Sequence, residues 1–99
     1  MNNNQPTNRG HMQLNRQTIK QQLESAIQSI CGLHVKQVFE ATGADTYAIE
    51  AWWYLDRNDP SDDDYALINL ERAMAINPAY APLHKMLFDW MYSDEDSEQ

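Results

Sequence analysis

The sequence has one cysteine, three glycines and no long apolar run, and each of these shortages excludes a class of protein. Cys31 has no second cysteine with which to form an internal disulfide. The three glycines do not form the glycine-rich loop that cradles phosphate groups. No uninterrupted apolar stretch approaches the roughly 18 residues that a membrane span requires. Because residues 1–12 also lack the apolar stretch of a signal peptide, we expect a cytoplasmic protein.

Basic residues are scarce as well, with seven lysines and arginines against fifteen acidic residues and a net charge of −8. The imbalance lies in residues 37–99, where three basic and fourteen acidic side chains give a net charge of −11. Such a surface repels the phosphates of nucleic acids and anionic lipids, and it attracts basic proteins. We therefore expect a protein partner, a basic one included, and neither nucleic acid nor a membrane.

The domain boundaries follow from apolar content. Hydrophobic residues make up 42% of the chain, which is too many for a wholly disordered protein. Residues 1–13 are rich in Asn and Gln without apolar periodicity, and residues 93–99 are acidic, so both are predicted to be disordered tails. The expected domain is therefore a single helical unit over 14–92.

Four stretches of that unit have the apolar spacing of amphipathic helices. The first predicts a helix over about 15–31 that ends at Gly32. The second predicts a helix over about 46–57 with Asp45 or Thr46 as its N-cap. A third helix is expected after residues 61–64, whose carboxylates favour the positive end of a helix. The last begins near Pro82, because the first turn of a helix tolerates proline.

Residues 33–42 allow two interpretations. Val35, Val38 and Phe39 fit a short helix, which would make the fold all-α with about five helices. The alternative is an α+β fold in which residues 34–54 form a β-hairpin through a turn at 42–45. We favour the helix because residues 46–57 continue with helical spacing.

Residues 49–80 place large residues in one predicted helix, small residues at helical spacing in the next, and a proline after it. The positions concerned are Trp52, Leu55, Ala66, Leu70, Ala73 and Pro78. This pattern resembles a tetratricopeptide repeat (TPR), although Asp56 stands where that family has a small residue. The resemblance implies antiparallel helical hairpins, about two and a half degenerate repeats, and a scaffold for binding proteins.

Aromatic residues that the hairpin core does not require are the candidate partner-binding residues. Trp52, Trp53 and Tyr54 are consecutive, so their side chains point about 100° apart on a helix and cannot all face one core. Trp53 and Tyr54 are therefore candidates, because Trp and Tyr dominate interface hot spots. A second group can line a groove or cover the last helix. Its members are Tyr47, Tyr80, Met86, Trp90 and Met91.

Catalytic and metal-binding patterns are weak. Cys31 and His34 lack the second Cys/His pair of a tetrahedral zinc site. Asp59 and residues 62–64 lack the twelve-residue spacing, central Gly and terminal Glu of an EF-hand. No orienting group accompanies Cys31 with His34 or His84 as a nucleophile pair. We expect no enzyme, no cofactor and no metal.

Three functions remain. The first is an adaptor or small chaperone that binds a partner helix or peptide, since short TPR-like proteins include chaperones of bacterial secretion-needle subunits. The second is an acidic inhibitor, such as an anti-defence protein, that mimics nucleic acid. The third is a structural module that forms homo-oligomers through its surplus of aromatic residues.

Overall fold

The computed structural model describes residues 14–92, which form four α-helices. They are α1 (Arg16–Cys31), α2 (Ala44–Asp56), α3 (Asp63–Ile76) and α4 (Ala81–Tyr92). A short 3-10 turn precedes each of the last three helices, at Val38–Glu40, Pro60–Asp62 and Pro78–Tyr80. These residues contain no strand, so the all-α prediction is confirmed and the β-hairpin alternative at 34–54 is wrong. The tails predicted at 1–13 and 93–99 lie outside the described residues.

The predicted helix over 33–42 is reduced to the 3-10 turn, so α-helices number four within 14–92 rather than about five. Gly32 ends α1 with a left-handed φ of 76°, and Gly43 has a φ of 57° at the start of α2. Between them, the side chains of His34 and Gln37 accept hydrogen bonds from the backbone amides of Lys36 and His34. Such local bonds compete with helix formation, and the connection stays irregular.

The beginnings of α1 and α2 differ in how they are capped. Asn15 caps α1, its side chain accepting a hydrogen bond of 2.8 Å from the Thr18 amide. The N-cap of α2 is Gly43, and no side chain caps this helix. The predicted cap at Asp45 or Thr46 is therefore wrong. Asp45 instead accepts a hydrogen bond of 2.6 Å from the Tyr80 hydroxyl.

The start of α3 shows how the acidic run is used. Asp59 accepts hydrogen bonds from the backbone and side chain of Ser61, and these bonds hold the pKa of Asp59 below its ordinary value. Asp63 and Asp64 occupy the first turn of α3, where a carboxylate is favourable. Of residues 61–64, predicted to favour this helix start, Asp63 and Asp64 lie in the first turn of α3, whereas Ser61 and Asp62 belong to the preceding 3-10 turn.

The core is centred on the packing of α2 against α3. Seven residues of α2 and α3 are fully buried: Ala48, Ile49, Ala51, Leu55, Ala66, Leu70 and Ala73. Helix α1 packs on α2, α3 packs on α4, and α4 packs back on α1. The four helices thus close into a ring, whereas the units of an open solenoid contact only their neighbours. No helix formed by residues 14–92 is long and apolar enough to cross a membrane.

Candidate functional site

The most exposed aromatic side chain of the described residues, Phe39, borders the outer side of α2. A cavity of about 480 Å³ lies there, between α2 and the 3-10 turn that precedes it. We call this cavity the aromatic groove. Its lining residues are Val38, Phe39, Thr46, Glu50, Trp53, Tyr54 and Arg57. The five residues from α2 recur at intervals of one to four positions along one side of the helix, which is why they share one surface.

Phe39 and Trp53 are the exposed apolar residues of the aromatic groove. Phe39 is 99% exposed and Trp53 is 42% exposed. Leaving a phenylalanine in water forgoes roughly 1.5–3 kcal/mol that its burial would contribute. A clustered pair of exposed aromatic residues is typical of an interaction surface, whereas single exposed apolar residues are ordinary.

The groove is held in shape by contacts within the chain. Trp53 Nε1 donates a hydrogen bond of 2.9 Å to the carbonyl of Val35, and Val35 is itself buried. This bond fastens the connection between α1 and α2 onto α2. Trp52 and Trp53 meet edge to face with ring centroids 5.6 Å apart. The Trp53 ring is therefore positioned before any ligand arrives, which lowers the entropic cost of binding.

Tyr54 forms the other side of the groove and is also fixed by neighbours. Its ring stacks on Tyr65 of α3 at a centroid distance of 5.5 Å, and the Arg57 guanidinium lies 5.1 Å from its centroid. Since Tyr65 is 54% exposed, the aromatic surface extends from α2 onto α3. Sequence reasoning named Tyr54 but missed Tyr65 and Phe39. Gly32 and Gly43 flank residues 33–42, and they were the one feature of the sequence which indicated that Phe39 does not lie on the buried face of a helix.

The remaining predicted site residues lie elsewhere. Tyr47 is partly buried on α2, with the Arg72 guanidinium 5.9 Å from its ring centroid. Trp90 and Met91 line a different cavity near the start of α1. Tyr80 is fully buried, so its side chain contributes to the core rather than to a surface. Among the six, the structure thus brings Trp53 and Tyr54 together at the aromatic groove, and Trp90 and Met91 together at the other cavity.

The buried Tyr80 hydroxyl links the start of α4 to α2. Burial raises the pKa of Tyr80, and the hydrogen bond to Asp45 raises it further because ionisation would place two negative charges side by side. Tyr80 therefore holds its proton at pH values where an exposed tyrosine has lost it.

Replacing Tyr80 by phenylalanine should reduce the alkaline sensitivity of the fold. Above about pH 10 the unfolded chain releases a tyrosine proton that the folded chain keeps, so the free energy of unfolding falls as pH rises. The wild-type decline should be steeper than that of Tyr80→Phe by up to about 1.4 kcal/mol per pH unit. Urea unfolding of both proteins at about pH 9, 10 and 11 measures the difference. Parallel pH profiles would contradict this account.

The groove has two charged lining residues, the carboxylate Glu50 and the guanidinium Arg57. Cys31 lies outside it, partly buried, with its Sγ donating to the Ile27 carbonyl at 3.3 Å. Within residues 14–92, no group of three His, Cys, Asp or Glu side chains is placed to hold a metal ion.

The aromatic groove thus combines preorganised aromatic rings with two charged side chains, Glu50 and Arg57. Comparison with protein-family models, with curated proteins and with solved structures finds no match to this chain.

Proposed function

We propose that this chain is a non-catalytic protein-interaction module, an adaptor or small chaperone, that binds a helix or peptide in the aromatic groove. The observation that carries the proposal is that two exposed aromatic residues, Phe39 and Trp53, line one cavity. Aromatic anchors supply most of the binding energy in protein interfaces because each removes a large apolar area from water. An apolar groove along a helix is also a common receptor for the apolar face of an amphipathic helix.

The TPR-like hairpin formed by α2 and α3 is, in this proposal, the scaffold. Its small residues Ala66 and Ala73 are fully buried and allow close approach of the two helices. Because α4 packs back on α1, the ring of helices favours a ligand on the outer side of α2 rather than in an open concave face. The residues that form the hairpin therefore differ from those that meet the ligand.

The acidic-inhibitor alternative receives less support from the carboxylates. Mimicry of nucleic acid requires free negative charges at regular spacing along one face. Nine carboxylates of the described chain already engage another of its side chains: Glu24, Glu40, Asp45, Asp56, Asp59, Asp62, Asp63, Asp64 and Asp89. The acidic surface that remains suits steering of a basic partner better than mimicry.

Replacing Phe39 by serine should weaken partner capture about tenfold or more, as expected for the loss of a hot-spot aromatic residue. Phe39 is a sharper target than Trp53, because Trp53 also fastens the connecting segment through its bond to Val35. Tagged wild-type and variant chains would be compared by quantitative mass spectrometry of proteins captured from the native cell. Far-UV circular dichroism should show equal helix content.

The matched control is Ile76→Ser, because Ile76 is 58% exposed on α3 and does not line the aromatic groove. This variant should capture the same proteins as the wild type. Proteins captured equally by Phe39→Ser and Ile76→Ser would show that the groove is not the binding site. The proposal would then be overturned.

A further inference from the structure

The charges that border the aromatic groove point to a particular ligand helix. We propose, resting on the proposed function, that this ligand is α2 of a second copy of the chain. The two α2 helices would lie antiparallel about a two-fold axis that passes between Trp53 and Tyr54. The groove of each copy would then receive aromatic residues of the other.

The first argument is charge complementarity along α2. Glu50 and Arg57 are seven residues apart, about two helical turns, and both line the groove. They lie at equal distances on either side of the midpoint between Trp53 and Tyr54. An antiparallel two-fold pairing therefore sets each Glu50 opposite the Arg57 of the other copy. A parallel pairing would instead oppose like charges.

The second argument is that both charged groups are available. The Glu50 carboxylate forms no hydrogen bond or ion pair with any residue of 14–92. The Arg57 side chain is 64% exposed, and its contact with Asp62 is a long one of 3.8 Å. A second copy would give Glu50 a partner and would give Arg57 a better one. Such pairs at the rim of an interface fix the register of the two partners.

The third argument concerns the apolar centre. Phe39 and Trp53 projecting beside the cavity place a protrusion and a recess on the same surface, which is the self-complementary arrangement that a two-fold interface requires. At 99% and 42% exposure the two rings offer about 300 Å² per copy. A standard interface buries about 800 Å² per partner, so the aromatic pair would supply the centre of a modest one. We therefore expect reversible dimerisation with a dissociation constant of about 1–100 μM.

Charge reversal tests both the partner and its orientation. Glu50→Arg makes every ion pair of the two-fold dimer repulsive, and so does Arg57→Glu. Each variant alone should dimerise at least about tenfold more weakly than the wild type. Mixed together, the two variants become complementary at both positions and should form a heterodimer. The double variant, with both charges exchanged, should dimerise as the wild type does.

Sedimentation velocity over a range of concentrations measures each self-association, and native mass spectrometry of the mixture detects the heterodimer. Lys85→Glu is the matched control, because Lys85 lies on α4 outside the groove, and it should leave dimerisation unchanged. Raising the salt concentration should weaken the wild-type dimer, and it should weaken the Lys85→Glu dimer to the same extent.

Two results would overturn the inference. One is a wild-type chain that stays monomeric at millimolar concentration, and the other is a dimer that neither charge reversal weakens. A monomer that still captures a different protein through Phe39 would reject only the second copy as ligand, leaving the proposed function intact. If the wild-type chain is monomeric and Phe39→Ser captures the same proteins as the wild type, both the second copy as ligand and the proposed function are rejected.

Discussion

Replacing Asp63 by alanine should lower the free energy of unfolding by about 3 kcal/mol, because it leaves a largely buried guanidinium without its counter-charge. Arg16 donates to both Asp63 oxygens, from Nη2 at 2.7 Å and from Nε at 3.3 Å. The Asp63 and Arg16 side chains are only 8% and 18% exposed. For a domain of this size, each kcal/mol of lost stability lowers the midpoint temperature of thermal unfolding by about 4–8 °C, so this temperature should fall by more than about 10 °C. Thermal and urea unfolding, followed by far-UV circular dichroism, measure the loss.

The contacts of Arg16 explain why the effect should be large. Its Nη1 donates a 2.9 Å hydrogen bond to Asn58, and its guanidinium lies 5.5 Å from the Trp90 ring centroid. One side chain of α1 thus contacts α3, α4 and the connection between α2 and α3. Water can still reach part of Arg16, so we place the cost at the lower end of the range for buried pairs.

The control is Asp89→Ala, which removes a pair of similar length at the surface. Lys85 and Asp89 are 2.9 Å apart, but their side chains are 77% and 45% exposed. Its loss should cost less than about 0.5 kcal/mol. Equal effects of the two substitutions would show that the Arg16–Asp63 pair contributes no more than a solvated one.

The helices themselves were predictable because their signals are local. Asn15 and Gly32 mark the ends of α1 within three residues of the helix they limit, and the apolar spacing of α3 continues through its whole length. The structure starts α2 two residues earlier than predicted, at Ala44. That boundary was missed because Asp45, a good capping residue, is bonded to Tyr80 from 35 positions along the chain.

The ion pair of Asp63 with Arg16 could not be predicted from the sequence, again because the partner is distant along the chain. A carboxylate in the first turn of a helix has a sufficient local explanation, and nothing near it indicates a partner 47 positions away on α1. The sequence predicts that a carboxylate is tolerated there. The Asp63 carboxylate is buried and paired with Arg16 only because α1 packs against the other helices.

The candidate site was predictable in part. Three consecutive aromatic residues on a helix require that at least one leave the core, and Trp53 is the most exposed of them. Phe39 was not predictable, because Val35, Val38 and Phe39 have helical spacing, and only Val35 is buried. The aromatic groove exists because that segment crosses α2 as an irregular connection. Its geometry depends on the bond from Trp53 to Val35, which no local pattern encodes.

Replacing Leu70 by alanine should lower the free energy of unfolding by about 3–4 kcal/mol, within the usual range of 2–5 kcal/mol for a buried leucine. Leu70 is fully buried near the middle of α3, and α3 packs on both α2 and α4. Its neighbours on the buried face, Ala66 and Ala73, are too small to fill the cavity that would be left. The same unfolding measurements apply.

The matched control is Ile68→Ala, because Ile68 lies on the same helix and is 40% exposed. It should cost about 1 kcal/mol, since much of its apolar surface is already in water. A small single domain has only about 5–15 kcal/mol of stability in all, so Leu70→Ala should leave a measurable unfolded population while Ile68→Ala should not. Equal losses would mean that α2 and α4 close over the missing side chain. Ala66 and Ala73 would then hold the helices less rigidly than their full burial indicates.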